Sequence, residues 1–323
     1  MSIYVSGSLA YDRVMNFSGI FSDYIIPDKI HMLNVCFPIE HLEEKRGGTG
    51  GNIAYNLALL GEKCTILTTV GKDFGSYKKQ LEQLGINLDG IREVQDEFTA
   101  GAYITTDKQA NQIVAFHAAA MNYGCEYKFT GLDPKKDLAI IAPTNKEDMV
   151  RHARLYTEKK LRYIFDPGQQ TTALTGEDLL AGIRGAMLLI SNDYELELIK
   201  QLTKLTLEQL LDLTPIIITT LGEKGSKITR RNGQVSLIPP MPITRLENPT
   251  GAGDSYRAGL IKGILSGLTL EQSATVGSAC SAFCVEKYGT QEHYYDQELL
   301  EQKYKTVTGE KLPLRFTPLI QQP

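Results

Sequence analysis

The chain is short of every residue pattern that marks a metal cluster, a disulfide framework, a membrane span or a nucleic-acid surface. Its five cysteines (Cys36, Cys64, Cys125, Cys280 and Cys284) are odd in number and contain no C-x-x-C pair. That usage implies free thiols in a reducing cytoplasm. Cys280 and Cys284 lie four apart in a run of small residues, where a helix core is a better reading than a metal site. The five histidines show no H-x-x-x-H spacing. No apolar run approaches the length of a membrane span, and Met1 to Val5 lacks the basic start and long apolar region of a signal peptide. The formal net charge is −4, and the paired cations Lys78-Lys79, Lys135-Lys136, Lys159-Lys160 and Arg230-Arg231 are scattered. Nothing therefore favours nucleic acid or an anionic membrane as partner. Internal repeats, low-complexity tracts and flexible linkers are missing as well. What remains has the apolar and charged fractions of a globular protein, and 323 residues can bury a sizeable core.

The most informative stretch is Asn248-Pro249-Thr250-Gly251-Ala252-Gly253-Asp254-Ser255-Tyr256-Arg257-Ala258-Gly259. Ala258, Ile261, Leu265 and Leu268 recur at spacings of three and four, which predicts an amphipathic helix starting near Gly253. Gly251, Ala252 and Gly253 would expose backbone N–H groups at its N-terminus, where the orphan donors and the helix dipole both favour an anion. An acid beside such a cradle suits phosphoryl transfer, with Asp254 as base for an incoming hydroxyl. An ordinary helix start with Asp in its first turn is the plain alternative.

Earlier in the chain, Ile3 to Val5 reads as a buried strand broken by Ser6-Gly7-Ser8, with Asp12 close behind it. Ligand groups of an open α/β sheet sit just past strand ends, although Asp12 also suits a simple turn. Residues from about 11 to 46 lack a helical period and read as an excursion from the main sheet. Arg46-Gly47-Gly48-Thr49-Gly50-Gly51-Asn52 then opens a helix that Gly61 closes. Ile53 stands where a dinucleotide fingerprint needs its third glycine, and Gly-Lys-Ser/Thr of a Walker loop is missing.

Cys64 to Val70 is a strand, and Phe74, Tyr77, Leu81 and Leu84 mark one helix face. A second excursion, about 98 to 121, reads as strand, turn and strand, and could pair with the first as a small sheet over a site. Strands at Leu138 to Ala142, Tyr163 to Phe165, Ala186 to Ile190 and Ile216 to Leu221 alternate with helices at Glu147 to Lys159 and Tyr194 to Leu202. This repetition predicts an α/β sandwich of three layers, a mainly parallel sheet with helices on both faces. Arg231-Asn232-Gly233-Gln234 predicts a hairpin with a type I′ turn. Asn192-Asp193-Tyr194-Glu195 fits a helix-capping box, and Thr220-Leu221-Gly222-Glu223-Lys224-Gly225 a glycine turn after a strand.

Taken together, four segments resemble, in order, the motifs of the PfkB (ribokinase-like) carbohydrate kinases. They are Gly47-Gly48-x-x-x-Asn52, Asn192-x-x-Glu195, the Thr220 to Gly225 loop and Gly251-Ala252-Gly253-Asp254. Two departures stand out: Asn248 replaces a leading Asp, and Ser255-Tyr256 replaces Ala-Phe. The runs Gly7-Ser8-Leu9-Ala10-Tyr11-Asp12, Asp166-Pro167-x-Gln169-Gln170 and Gly289-Thr290-Gln291-Glu292 are similar to the bacterial adenosine kinases of that family.

The resemblance implies a single ribokinase-like domain over residues 1–323 with a small β lid made of the two excursions. It implies an enzyme that moves the γ-phosphoryl of ATP to the 5′-hydroxyl of adenosine, giving AMP in purine salvage. Asp12, Gly47, Gly48 and Asn52 would hold the ribose, and Ser8, Phe116, Gln169 and Gln170 would lie near the purine. Thr220, Gly222 and Gly225 would border the nucleotide. Asn192 and Glu195 would meet phosphate and Mg²⁺ through water. A sugar or other nucleoside kinase on the same fold is the nearest rival, and a nucleotide-binding regulator without turnover a more distant one. A monovalent cation such as K⁺ and a homodimer joined through the lid are open options that these residues do not decide.

Overall fold

Four-residue runs as apolar as Leu138–Ile141 form strands only where both faces are covered, and the fold supplies that cover. The computed structural model describes residues 1–320. Its thirteen strands are Ile3–Ser6 (β1), Ala10–Phe17 (β2), Ile39–Gly47 (β3), Thr65–Gly71 (β4), Ile91–Val94 (β5), Ala100–Thr106 (β6), Gln112–His117 (β7), Leu138–Ile141 (β8), Arg162–Phe165 (β9), Leu188–Asn192 (β10), Ile216–Thr220 (β11), Ser226–Arg230 (β12) and Val235–Ile238 (β13). Its helices are Phe21–Tyr24 (α1), Thr49–Leu59 (α2), Gly75–Gln83 (α3), Lys146–Lys159 (α4), Gly176–Ile183 (α5), Asp193–Thr203 (α6), Leu207–Leu213 (α7), Ala252–Leu265 (α8), Leu270–Val285 (α9) and Gln297–Thr308 (α10).

Nine strands form one sheet in the order β13-β12-β11-β10-β9-β8-β1-β4-β5. Strand pairs from β5 to β11 are parallel, and β12 and β13 add an antiparallel edge. Alternate residues point to opposite faces. Ile3, Val5, Leu138 and Ile140 pack with Leu57, Tyr77, Leu260, Cys280 and Tyr304 from α2, α3, α8, α9 and α10. Tyr4, Ala139 and Ile141 face the other way, against Tyr156, Leu179, Ile199 and Leu210 from α4 to α7. The three expected layers are therefore present.

The two excursions pair as expected, in a second sheet ordered β3-β2-β6-β7. The first of them is more regular than its sequence suggests. β3 reads Ile-Glu-His-Leu-Glu-Glu-Lys-Arg-Gly and is exposed over much of its length, so it has no apolar face to betray it. Asp12 is not in a turn after β1; it sits inside β2, opposite Lys45 of β3 and Ala102 of β6. The β12–β13 turn is not type I′. That type needs positive φ at both central residues, and only Gly233 has it. Gly233 N–H instead donates to Arg230 C=O, and Gln234 N–H to the Asn232 side chain.

α8 is not amphipathic, since every residue from Ser255 to Gly263 is buried. It packs against α9 and α2, and glycines allow the approach to α9. A Cβ on Gly259 would stand 2.7 Å from Gly277 Cα, and one on Gly277 2.6 Å from the Tyr256 carbonyl oxygen. Gly277→Ala is expected to cost about 1–3 kcal/mol through overpacking. Urea unfolding would show it as a lower midpoint at unchanged slope, whereas an unchanged midpoint would mean that α8 and α9 have room to part.

Candidate active site

Six segments reach one crevice from the carboxyl ends of parallel strands or from helix N-termini, as an open α/β sheet favours. Ser8 follows β1, Asp166 to Gln170 follow β9, Asn192 ends β10, and Thr220 ends β11 with Gly222 just beyond it. The N-termini of α2 and α8 close the far side, while β2, β6 and β7 of the small sheet contribute Asp12, Ala102 and Phe116. The cavity measures about 590 Å³. It brings together Ser8, Asp12, Gly48, Asn52, Phe116, Gln169, Gln170, Asn192, Glu195, Thr220, Gly222, Gly251, Gly253 and Asp254 of the sequence-derived set.

Gly47, Ala252 and Gly225 do not line it. Gly47 backs Asp12, since a Cβ there would lie 2.7 Å from Oδ2. Ala252 is the first residue of α8. Gly225, at φ +83°, lies against the Ile238 carbonyl, so its conformation serves the β11–β12 connection.

The two glycine-rich helix starts differ in chemistry. At α2 the first-turn donors are used. Thr49 N–H donates to Ser8 Oγ at 3.2 Å, and Gly50 and Gly51 N–H donate to Ser8 C=O at 2.9 and 3.2 Å. At α8 the cap is Gly251 in the left-handed region, with no side chain to accept. The N–H groups of Gly253 and Asp254 find no acceptor among the described residues. Free backbone donors are thus left at the α8 start and not at the α2 start. Asn248 shapes the turn before it by accepting from Thr250 N–H at 2.8 Å, which an amide oxygen does as well as a carboxylate.

Asp254 opens partly to the cavity, but protein packs densely around it. Desolvation pushes its carboxyl up to about 7; Arg257 and the Asn52 hydrogen bond pull it down, while Asp166 and Glu195 push it up further. Asn52 Nδ2 donates to Asp254 Oδ2 at 2.8 Å, and Asn52 Oδ1 accepts from Gln291 Nε2 at 3.0 Å. Gln291 therefore fixes the orientation of Asn52. Desolvation raises Asp12 and Glu195 as well.

Asn192 and Glu195 form a complete capping box on α6: Glu195 N–H donates to Asn192 Oδ1 at 2.7 Å, and Asn192 N–H to Glu195 Oε2 at 2.8 Å. Both still line the cavity. Gln170 Nε2 donates to Thr144 C=O at 2.8 Å, whereas Gln169 is exposed and its side chain has no partner among the described residues. All five cysteines are free, and Cys280 and Cys284 are buried in α9. Among the described residues, no helix is long and apolar enough to cross a membrane.

Arg257 and Asp166 carry no role in the sequence reading, although both stand in quoted runs. The guanidinium Nε and Nη2 both donate to the Asp166 carboxylate, the latter at 2.8 Å, and both side chains are buried. The available signal was the spacing: Arg257 is one helical turn after Asp254. Thr49, Thr250 and Thr290 also line the cavity; each stands in a quoted run, but no role attaches to it there.

Residues 19–297 match the pfkB family carbohydrate kinase model. The chain belongs to that family. Among its relatives, this pfkB-family kinase is 31% identical over 275 residues to a nucleoside kinase of Methanocaldococcus jannaschii, covering 83% of this chain and 89% of that one. A nucleoside kinase of Methanothermobacter thermautotrophicus is 28% identical over 90% of this chain and 95% of its own length. Among solved structures, the Burkholderia thailandensis nucleoside kinase in complex with inosine superposes with a TM-score of 0.82 at 32% identity, covering 96% and 99% of the two chains. The structure of the M. jannaschii enzyme, described as an archaeal member of the ribokinase family, gives 0.85 at 28% identity over 95% and 99%. The fold is ribokinase-like and the protein a phosphotransferase.

Gly48 offers a direct probe of the site. Its φ is +86°, and a Cβ would lie 2.5 Å from the Ser8 carbonyl oxygen. Gly48→Ala is expected to cost about 1–3 kcal/mol of backbone strain and to lower the melting temperature. Unchanged melting would show that the Ser8–Gly48 contact yields freely.

Proposed function

We propose that this kinase is ATP-dependent and phosphorylates the 5′-hydroxyl of a nucleoside, with adenosine as acceptor and AMP as product. The observation that carries the reading is the position of Asp254, a desolvated carboxyl beside the free first-turn N–H groups of α8, in a cavity that also holds Asp12 and Asn52. Asp254 takes the proton of the acceptor hydroxyl. The new O5′–P bond forms as the bond from the γ-phosphorus to the bridging oxygen breaks, and ADP leaves with that electron pair. The α8 amides hold the transferring group in place and stabilise its charge.

The relatives support a nucleoside acceptor. They are named nucleoside kinases, and the B. thailandensis enzyme has also been solved with ADP and inosine. Asp12 and Asn52 suit a vicinal diol, the latter through the one N–H that Asp254 leaves over. Gly48, backed by Gly47, lets the backbone come close to the sugar. Phe116 offers a face for the base, with Ser8 beside it, and Gln169 and Gln170 offer amides that donate and accept. Thr220 and Gly222 lie where the nucleotide would enter.

Magnesium fits the donor set. One Glu195 oxygen is committed to the α6 cap, and the other is left to hold a metal-bound water together with Asn192. When bound, the ion would neutralise charge on the phosphates. With Asp12 on the small sheet and Asp254 on α8 lining one cavity, the small sheet takes the role of a lid, which would exclude water as a competing acceptor.

Asp254→Asn is expected to lower turnover by roughly two to four orders of magnitude, the range for loss of a general base, with nucleoside affinity little changed. Because the base must be ionised, wild-type turnover should fall as pH drops below about 7. Near-normal turnover of Asp254→Asn, or a profile flat to pH 5, would remove the base assignment. Release of ADP from ATP-Mg²⁺ across a panel of nucleosides and sugars tests the acceptor. The expected result is rapid turnover with adenosine and little with ribose or fructose. Sugar turnover without nucleoside turnover would replace this reading with a sugar kinase, and ATP binding without ADP release for any acceptor with a non-catalytic regulator.

A further inference from the structure

The lining of the cavity presents an electrostatic problem. It carries four carboxyl groups (Asp12, Asp166, Glu195 and Asp254) and, among the described lining residues, a single cationic side chain, Arg257. A triphosphate brought into that space meets like charge on several sides. The lone cation is held in a specific way. Asp166, at the end of β9, takes Nε and Nη2 of the guanidinium as a fork, leaving Nη1 without a hydrogen-bond partner among the described residues. Nη1 lies against the floor of the anion cradle, where a Cβ on Gly253 would come within 2.6 Å of it. Gly253 must therefore be glycine for the guanidinium to lie there.

We propose that Arg257 is the cationic part of the α8 cradle, clamped by Asp166 so that Nη1 donates to a non-bridging oxygen of the transferring phosphoryl group. The assignment rests on the phosphotransfer reading above and adds a catalytic residue to it. A planar guanidinium fixed on one edge presents its remaining N–H groups in a set direction without further ordering. Its charge does a second service through Asp254, one turn earlier on the same helix. The groups facing Asp254 are Asn52 from α2, Asp166 after β9, Glu195 on α6 and Cys284 on α9, besides Arg257 itself. Of these only Arg257 is positive. It stays charged: burial works against the charge, but Asp166, Asp254 and Glu195 together outweigh it and hold the guanidinium above the ordinary arginine value. Without it, nothing but a neutral amide would offset the two neighbouring acids, and Asp254 would hold its proton to higher pH.

The experiment uses Arg257→Met, Arg257→Lys and Asp166→Asn, each checked for folding by circular dichroism and thermal melting. For each, kcat and KM are measured across pH with the acceptor that the wild type uses. In Arg257→Met, kcat should fall about a hundredfold, the scale for loss of one donor to a transition-state anion. Nucleoside affinity by calorimetry should stay within a few-fold, and the acid limb of the kcat profile should move upward. In Arg257→Lys the charge remains near Asp166 but Nη1 is lost, so kcat should fall while the acid limb holds its place. Asp166→Asn should fall between these two. If Arg257→Met folds and keeps kcat within threefold with an unmoved limb, the pair is only a clamp between helix and sheet, and the proposal is overturned. Should Arg257→Met not fold, Arg257→Lys decides on the same threshold in kcat. A wild type that releases no ADP would sink the phosphotransfer reading itself, an outcome distinct from active wild type with indifferent Arg257 variants.

Discussion

The buried ion pair between Arg257 and Asp166 ties α8 to the end of β9, and the geometry of the cavity depends on that tie. Buried pairs add little net stability, because desolvating two charges offsets most of their attraction, but removing one partner is costly. The pair therefore acts as a positional constraint. It fixes the rotation of α8 about its axis, which sets the direction of the free amides at its start and of Asp254 in its first turn. Close packing of α8 on α9 through Gly259 and Gly277 removes the remaining freedom.

On this frame the two glycine clusters take different parts. The α2 start is folded back on Ser8 and spends its donors on that residue, so its glycines serve close approach: a Cβ on Gly7 would lie 2.7 Å from Gly50 Cα. The α8 start spends Ala252 N–H on the Pro249 carbonyl but leaves those of Gly253 and Asp254 without an acceptor among the described residues. Asn52 joins the two, since it belongs to α2, is oriented by Gln291 from the segment after α9, and donates to Asp254. Three chain segments remote in sequence thus converge on one carboxylate.

Much of this was legible in the sequence, for identifiable reasons. Parallel strands buried on both sides are continuous apolar runs, and glycine clusters before an apolar helix mark its start. Both signals are local, and most sandwich strands were placed from them to within two residues, β10 showing the largest shift. β3 and β5 escaped because exposed or half-buried edge strands carry no apolar period. α5 and α7 escaped although Thr175 with Asp178 and Thr206 with Gln209 form capping boxes, because the helices are short and their apolar faces brief. α8 was found, but its polarity was misjudged: an amphipathic reading assumes a wet face, and α9 covers that face. Within the site, motif residues such as Asp254 and Asn192 could be named in advance. The Arg257–Asp166 pair could not, because its partners are far apart in sequence and the fold alone brings them into contact.

Burial of Asp254 also has a thermodynamic side. Its carboxyl sits at about 7 in the folded chain, against roughly 3.9 in an unfolded one. Between those values the fold retains a proton that the unfolded chain gives up. The resulting contribution to stability is complete below the window and is lost as pH rises through it. Asp12 and Glu195, raised by the same desolvation, act in the same direction. The buried imidazoles of His152 and His293, held well below their ordinary value by desolvation, act the other way, because the unfolded chain takes up protons there as pH falls and the fold does not. At Asp254 itself the ionisation that readies the cavity for chemistry is therefore a local load on the scaffold, and protonation there would lift it.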